Sequence, residues 1–268
     1  MNTIFLMGII ILAIAVLMSM VGKGGGNFYV LAMVLAGITM HEAAPTSQMI
    51  MLGTSVASMV IFHKNKKVDW KLALIIDPPT DIMAFVGGYF AGQVEGITLK
   101  LIFAILLIAV SFFMFIKVKD KPLEEKHKFG YWNRTFGDHK YTVNLWVTLP
   151  ITALVGLFAG ATGISGGAFK IPLMVMLCGI PMEIAVGTSS AMVAVTALMG
   201  LIGHSINGSI NGHVNLEFAI PLTVVAIVGG IIGGKFALKS KPKNLKKIFA
   251  LTNLAAGITM IISIILKG

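Results

Sequence analysis

The feature that most constrains this chain is a series of apolar segments, several of them long enough to cross a lipid bilayer as a helix. A helix needs about 20 apolar residues to span the hydrocarbon core, and only 12% of the residues here are charged. The sequence therefore predicts an all-α polytopic membrane protein. The segments fall at 3–21, 27–39, 45–62, 70–92, 98–116, 143–161, 167–179, 184–204, 215–238 and 245–266.

The second and seventh segments are shorter than a full span, so each is a half-helix, a tilted span or a re-entrant element, and each follows a glycine-rich break. Residues 22–28 read Gly-Lys-Gly-Gly-Gly-Asn-Phe, and residues 163–169 read Gly-Ile-Ser-Gly-Gly-Ala-Phe. Three further pairs of stretches match in the same order: 45–49 with 187–191, 67–70 with 213–216, and 87–91 with 233–237. This self-similarity predicts an internal repeat with short or broken helices at the glycine-rich motifs.

The lysines predict how the repeats are oriented. Basic loops at 63–71, 117–140 and 239–247 should face the cytoplasm, whereas the nearly uncharged loops at 93–97 and 205–214 should face outward. A basic loop in one half thus corresponds to a neutral loop in the other.

We therefore expect two inverted repeats of about five transmembrane segments each, with both termini outside. The first repeat would cover 1–116 and the second 143–268, joined by a cytoplasmic linker at 117–142. An arrangement of 4 + 4 spans with re-entrant hairpins is the alternative.

The glycine breaks predict an anion site. Irregular backbone survives at membrane depth only where it lines a cavity or is covered by protein. The helix that starts after such a break presents free N–H groups and a partial positive charge. If two inverted halves bring these starts together near the midplane, the site is formed by Gly25, Gly26, Asn27, Gly166, Gly167 and Phe169.

Hydroxyl groups follow each break at the start of the next segment. They can either cap a helix or turn toward a bound oxyanion. Both interpretations remain open for Thr46, Ser47, Thr188 and Ser189, and Gln48 and Ser190 beside them are further candidates for the anion site.

Four charged residues fall within or beside apolar segments. Lys170 is a candidate counter-charge for the anion, although its side chain can also extend to the membrane interface. Asp77 and Asp81 are candidates for carrying a coupling proton, and an ion pair with Lys170 or Lys23 is the competing interpretation. Lys23 itself is expected to be an orienting surface cation.

Several classes of function are not expected. The net charge of +10 is explained by the cytoplasmic loops, so nucleic acid is not an expected partner. We find no Ser-His-Asp set and no phosphate-binding loop, and the spacing of His204 and His213 is poor for a metal. We expect no enzyme activity, cofactor or metal; the expected partners are a small anion and the bilayer, and a homodimer is left open.

The chain resembles the sulfite exporter TauE/SafE family of membrane transporters. The likeness rests on residues 156–173, Gly-Leu-Phe-Ala-Gly-Ala-Thr-Gly-Ile-Ser-Gly-Gly-Ala-Phe-Lys-Ile-Pro-Leu, on Gly-Thr-Ser-Ser at 187–190, and on degenerate copies in the first half. The resemblance implies transport of sulfite, sulfoacetate or other organosulfonates, usually outward, across a bacterial or archaeal inner membrane. The residues themselves indicate only a small oxyanion.

Two other functions are compatible with the sequence. A membrane sensor or assembly subunit without transport would need a partner surface, for which the linker is the sizeable candidate. A cation transporter would bind its substrate at Asp77 and Asp81 instead of at the helix starts.

Overall fold

The computed structural model describes residues 3–91, 129–163, 166–206 and 214–265, together with 101, 104–105, 108–109 and 111–112. The predicted loop 93–97 and residues 117–128 of the predicted linker lie outside this part of the chain. So do most of the predicted segment 98–116, most of the loop 205–214, and Ile164 and Ser165 of the second break.

The described residues are mostly helical. The first half contains α1 (Thr3–Met20), α2 (Gly26–Leu35), α3 (Met40–Lys64), α4 (Trp70–Ile76) and α5 (Pro78–Tyr89). The second contains α6 (Leu145–Thr162), α7 (Gly167–Pro172) with a π-helical turn at Leu173–Leu177, α8 (Met182–Ile206), α9 (Leu216–Lys239) and α10 (Pro242–Ile265).

Four of these helices are long and apolar enough to cross a membrane, at His41–Lys64, Leu145–Thr162, Met182–Ile206 and Leu216–Lys239. α3 and α8 are mostly buried, whereas α6 and α9 expose large apolar side chains such as Leu154 and Val224. Apolar side chains on the outside of a bundle are expected where the surrounding solvent is lipid. The prediction of a polytopic helical membrane protein is confirmed at this level.

Short helices follow both glycine breaks, as the sequence predicts. α2 has 10 residues, and α7 with its π-helical turn ends at Leu177. The chain turns through left-handed backbone at Gly22, Gly24 and Gly25 before α2, and at Gly163 before α7. Glycine adopts this conformation without a steric penalty, which explains why the breaks are glycine-rich.

α4 and α5 form a single segment that is broken at Asp77. Two prolines, Pro78 and Pro79, open α5, and a proline has no N–H to donate to the preceding turn. The backbone of Asp77 nevertheless remains in the right-handed helical region, so α5 continues from α4.

A β-hairpin precedes α6, where the sequence analysis expected only a linker and an all-helical fold. Strands β1 (Tyr131–Phe136) and β2 (His139–Asn144) pair in antiparallel fashion, with Phe136 opposite His139. Their aromatic and β-branched residues flank a two-residue turn, Gly137-Asp138, which is a recognised hairpin signal. This hairpin is therefore an addition to the predicted fold.

The hairpin is attached to the first half at the start of α4. Asp69 is buried, and its carboxylate accepts hydrogen bonds from Arg134 at 3.0 Å and from the hydroxyl of Tyr141. The same carboxylate accepts from the backbone N–H groups of Lys71 and Leu72, which begin α4. One side chain thus caps a helix and anchors the hairpin.

The two halves exchange helices. α9 of the second half packs against α1 and α3 of the first, whereas α5 of the first half packs against α6 and α8 of the second. α3 and α8 contact each other at the centre. Each half is therefore completed by a helix from the other.

Glycines allow the close approach in these exchanged contacts. A methyl group added at Gly230 would lie 2.6 Å from the carbonyl oxygen of Thr54, and one added at Gly88 would lie 2.7 Å from that of Gly200. Small residues let helix backbones approach closely in a membrane.

Alanine at either contact should therefore lower stability. We expect Gly88→Ala and Gly230→Ala each to reduce the free energy of unfolding by about 1–3 kcal/mol, because backbone atoms must move to admit the methyl group. Gly8→Ala is the matched control, since its added methyl group has its nearest neighbour at 4.0 Å. Thermal unfolding of the purified variants in detergent measures the difference, and equal midpoints for all three would contradict this packing.

The hairpin anchor should make stability depend on pH. Burial alone would raise the pKa of the Asp69 carboxyl, but hydrogen bonds from Arg134 and Tyr141 hold it below its usual value. A carboxyl with a lowered pKa stabilises the fold above its unfolded pKa of about 3.9 and loses that contribution as the pH falls through the folded pKa. We expect the advantage of the wild type over Asp69→Asn in thermal unfolding to be full at neutral pH and to shrink below about pH 4. A difference that is independent of pH would show that the charge of Asp69 does not anchor the hairpin.

Candidate functional site

The two glycine breaks meet inside the protein. A methyl group added at Gly167 would lie 2.9 Å from the carbonyl oxygen of Gly22 and 3.0 Å from the hydroxyl oxygen of Ser189. Val193 of α8 lies between the breaks, within 2.7 Å of a methyl group added at Gly24 and 3.0 Å of one added at Gly167. The helix starts that the sequence assigns to one site are therefore neighbours.

A pair of serines connects each break to the opposite half. Ser189 donates a hydrogen bond to the carbonyl of Gly22 at 2.8 Å, and Ser47 donates one to the carbonyl of Gly163 at 3.0 Å. Each of these carbonyl groups lies at a glycine break, where the backbone no longer forms the regular hydrogen bonds of a helix. The serines therefore supply partners that the irregular backbone requires at membrane depth.

The neighbouring threonines form a second reciprocal pair. Thr46 accepts a hydrogen bond from the backbone N–H of Asn215 at 2.9 Å, and Thr188 accepts one from that of Asp69 at 3.0 Å. Asn215 and Asp69 are the N-cap residues of α9 and α4, the helices that begin the exchanged segments. Both threonines therefore hold the start of a helix from the other half.

These hydroxyl groups do not cap their own helices, which was one of the two interpretations of the sequence. α3 begins at Met40 and α8 at Met182, six residues before Thr46 and Thr188. The N-cap of α3 is Thr39, whose hydroxyl accepts from the N–H of Glu42. Thr39 and Glu42 have the spacing of a capping box, a signal in the sequence for the earlier start.

The other two polar residues of these motifs are buried beside them. Gln48 donates from Nε2 to the carbonyl of Gly160 at 3.2 Å, and its buried Oε1 has no hydrogen-bond partner among the described residues. Ser190 donates to the carbonyl of Val186 within its own helix. Gln48 thus retains a free acceptor close to the second break.

The helix starts themselves carry no side-chain cap. Gly25 precedes α2 and Gly166 precedes α7, and neither cap position has a side-chain hydrogen bond. Gly26 and Gly167 open the two helices, Asn27 is partly buried in the first turn of α2, and Phe169 is buried in the first turn of α7. The Phe169 N–H donates to the carbonyl of Gly166 at 3.1 Å, within the first turn of α7.

Lys170 is buried next to the second break and does not extend to the membrane interface. Its exposed fraction is 1%, and Nζ donates to the carboxylate of Asp77 and, at 2.9 Å, to the hydroxyl of Thr196. A Cβ built on Gly166 would lie 3.8 Å from this Nζ. The cation that the sequence singles out is therefore at the site and is paired with a carboxylate.

Asp81 joins this group through Thr196. The Thr196 hydroxyl donates to Asp81 at 2.9 Å and also lies 2.9 Å from the carbonyl of Met192. Asp77 is 4% exposed, whereas Asp81 is only partly buried. We call Lys170, Asp77, Thr196 and Asp81 the charged cluster.

The corresponding position in the first half is neutral. Tyr29 occupies the place of Lys170, and its hydroxyl hydrogen bonds to that of Thr54 at 2.9 Å. Thr54 follows Thr46 by the same eight residues that separate Thr196 from Thr188. Thr54 and Thr196 are therefore equivalent in the two halves. Each bonds to the side chain of the preceding short helix, which is the neutral Tyr29 in the first half and the charged Lys170 in the second.

Lys23 is buried, not a surface cation as the sequence analysis expected. It is 2% exposed and donates to the hydroxyl of Thr252 at 2.8 Å and to the carbonyl of Phe249 at 3.4 Å. Its ammonium also lies 4.4 Å from the centre of the Phe249 ring, a favourable cation–π distance. The first break therefore brings a second cation into the interior.

Sequence reasoning missed three polar residues around the breaks. Thr196 had a detectable signal, because it aligns with Thr54 in the internal repeat. Thr252 and Asn253 of α10 had none, since they lie in an apolar segment without a polar counterpart in 98–116. Asn253 donates to the carbonyl of Ala168 at 3.3 Å, so α10 contacts both breaks.

Comparison with known proteins identifies the family of this chain. The family model for Sulfite exporter TauE/SafE matches residues 6–260. The probable membrane transporter protein YunE of Bacillus subtilis is 28% identical over 203 residues, which cover 71% of this chain and 74% of that protein. No solved structure matches the chain.

Two further relatives carry the same kind of description. A probable membrane transporter protein of Methanocaldococcus jannaschii is 25% identical over 71% of this chain and 68% of its own length. A probable membrane transporter protein of Haemophilus influenzae is 24% identical over 59% of this chain and 56% of its own length. Because the family model spans nearly all of the sequence, this chain belongs to the sulfite exporter TauE/SafE family of membrane transporters.

Proposed function

We propose that this chain is a secondary transporter that exports small sulfur-containing anions, such as sulfite, sulfoacetate or other organosulfonates. The observation that carries the proposal is the meeting of the two glycine breaks, at Gly22 and Gly167, beside the buried ammonium of Lys170. Uncapped helix starts and a buried cation together favour a small anion. The choice of sulfur-containing anions rests on the family's name.

The binding site would consist of the two first turns and the hydroxyl groups between them. The two helix starts, Gly25, Gly26 and Asn27 and Gly166, Gly167 and Phe169, would replace part of the anion's water shell, and the Phe169 N–H would leave its bond to the carbonyl of Gly166. Ser47 and Ser189 contact the breaks, the neighbouring Thr46, Gln48, Thr188 and Ser190 would complete the proposed site, and Lys170 would supply the positive charge. The Ser47 and Ser189 hydroxyls donate to backbone carbonyls at present, so an anion would compete for their protons.

The transport mechanism would be alternating access between two inverted repeats. The exchanged packing of α5 and α9, and the reciprocal bonds of Thr46 and Thr188, support two halves related by an approximate two-fold axis. In such transporters the substrate site lies near the midplane where the repeats meet. We propose the 5 + 5 arrangement, in a bacterial or archaeal inner membrane, with the linker in the cytoplasm.

The ion pair between Lys170 and Asp77 disfavours binding of a cationic substrate at Asp77. Asp77 is already paired with Lys170, so a cation that bound at Asp77 and Asp81 would have to displace a buried ammonium or lie close to it. An anion that approaches Lys170 would instead replace Asp77 as its partner. The role of Asp77 and Asp81 would then be to carry a coupling proton.

Transport by the purified protein in liposomes tests the proposal. We expect saturable sulfite or sulfoacetate flux that falls about tenfold or more in Gly167→Val, because even a Cβ at this position would lie 2.9 Å from the carbonyl oxygen of Gly22, so the added side chain would push the two breaks apart. We expect a similar fall in Lys170→Ala, which removes the cation.

A matched pair of variants separates loss of the site from loss of the fold. Lys170→Ala leaves Asp77 buried without a partner, which costs about 3–5 kcal/mol, so Lys170→Gln with Asp77→Asn is the neutral version. Lys239→Ala removes an exposed lysine and should transport as the wild type does. Normal flux in the folded double variant would refute the assignment of the site, and a wild type that moves no anion would favour a sensor or assembly subunit.

A further inference from the structure

The charged cluster contains one cation and two carboxylates, and this imbalance limits what it can bind. Lys170 and Asp77 neutralise each other in a direct ion pair, which leaves the charge of Asp81. A second carboxylate beside this pair gives a net charge of about −1 when every group is ionised. An anion that enters next to it would raise the charge to about −2, which a dry interior opposes strongly.

Protonation of Asp81 removes this conflict. With a proton on Asp81 and a monovalent anion at Lys170, the site carries about −1, the same charge as the empty site with Asp81 ionised. The charged cluster therefore has the same net charge in the empty protein and in the anion-bound protein, and the protein can change conformation in either form. Asp81 is also the more exposed carboxylate of the two, so water reaches it more readily than Asp77.

Thr196 connects Asp81 to Lys170. Its oxygen accepts from the ammonium of Lys170 at 2.9 Å, and its proton has two acceptors, Asp81 and the carbonyl of Met192, both at 2.9 Å. A hydroxyl has a single proton and can donate to only one of them at a time. The ionised form of Asp81 is the stronger acceptor, and protonation allows the hydroxyl to turn to Met192.

The surroundings of Asp81 offer few other charges. α5 packs against α6 and α8, and α6 contains no titratable residue. On α8, Glu183 pairs with Lys67 at 2.9 Å, and His204 is bonded to the carbonyl of Gly160. Asp77 and Lys170 are the charged groups that act on Asp81.

We propose that Asp81 carries the proton that crosses the membrane together with the anion, and that Thr196 is the positioning residue that transmits its protonation to Lys170. This inference rests on the proposed function and deepens it. The proton is taken from water on the side where the anion enters, is held on a carboxylate oxygen of Asp81, and returns to water on the other side. Asp77 remains the partner of Lys170 in the empty site.

Simultaneous measurement of anion and proton movement tests the inference. Methanesulfonate is a suitable probe because its sulfonate stays charged, so any proton that moves with it is carried by the protein. Liposomes that contain the full chain and a trapped pH-sensitive dye report both fluxes when a methanesulfonate gradient is applied. We expect about one proton per anion for the wild type.

The variants distinguish a coupling role from a structural one. Asp81→Asn should move the anion without protons, and Thr196→Val should lower the number of protons per anion about tenfold, because a charge-assisted hydrogen bond is lost. Thr196→Ser restores the hydroxyl and should restore the ratio. Thr54→Val, the matched change at the neutral position of the first half, should leave the ratio as in the wild type.

The outcomes separate the two proposals. A wild type that moves methanesulfonate without protons, or a Thr196→Val variant with the wild-type ratio, would overturn the inference and leave anion transport standing. A wild type that moves neither methanesulfonate nor sulfite would overturn the transport proposal, and this inference with it.

Discussion

The structure depends on hydrogen bonds that satisfy an irregular backbone inside a membrane protein. Each glycine break leaves carbonyl groups outside the helical ladder, and such groups cost several kcal/mol in hydrocarbon if they stay unpaired. Ser189 bonds to the carbonyl of Gly22 and Ser47 to that of Gly163, in each case from the opposite half. The breaks can therefore exist only where the two halves meet, and this requirement places them side by side.

The same requirement explains why the halves are alike in structure and different in charge. The reciprocal bonds of Thr46 and Thr188 hold the helices that follow Asn215 and Asp69, and they would work equally with either half. The positions of Lys170 and Tyr29 are not required to hold backbone groups of the other half. Lys170 in the second half corresponds to Tyr29 in the first, so one copy of a common framework became a charged site and the other stayed neutral.

Much of the framework could be predicted from the sequence, because local rules govern it. The glycine doublets predicted both breaks and both short helices. The apolar segment 45–62 begins later than α3, whose start at Met40 is marked by the capping box of Thr39 and Glu42. The hairpin was missed despite its Gly137-Asp138 turn, since its strands lie in a connector rich in charge.

The partners of buried side chains could not be predicted in the same way. For Asp77 and Asp81 the sequence left an ion pair with Lys170 or Lys23 as one of two interpretations, and the fold selects the pair between Asp77 and Lys170, which are 93 residues apart. Lys23 looked like a surface cation because its neighbours in sequence are small, whereas its contacts come from Thr252 and Phe249 on α10. Long-range pairing of this kind is a property of tertiary structure, and no local pattern encodes it.

The most direct test of the account is to locate a bound anion. Selenite has the shape and charge of sulfite, and the anomalous scattering of its selenium atom marks its position in a crystal of the protein. We expect a single strong peak between the breaks, within hydrogen-bonding distance of the first turns of α2 and α7 and close to Nζ of Lys170. A peak elsewhere in the protein, with none between the breaks, would contradict a shared anion site at the glycine breaks.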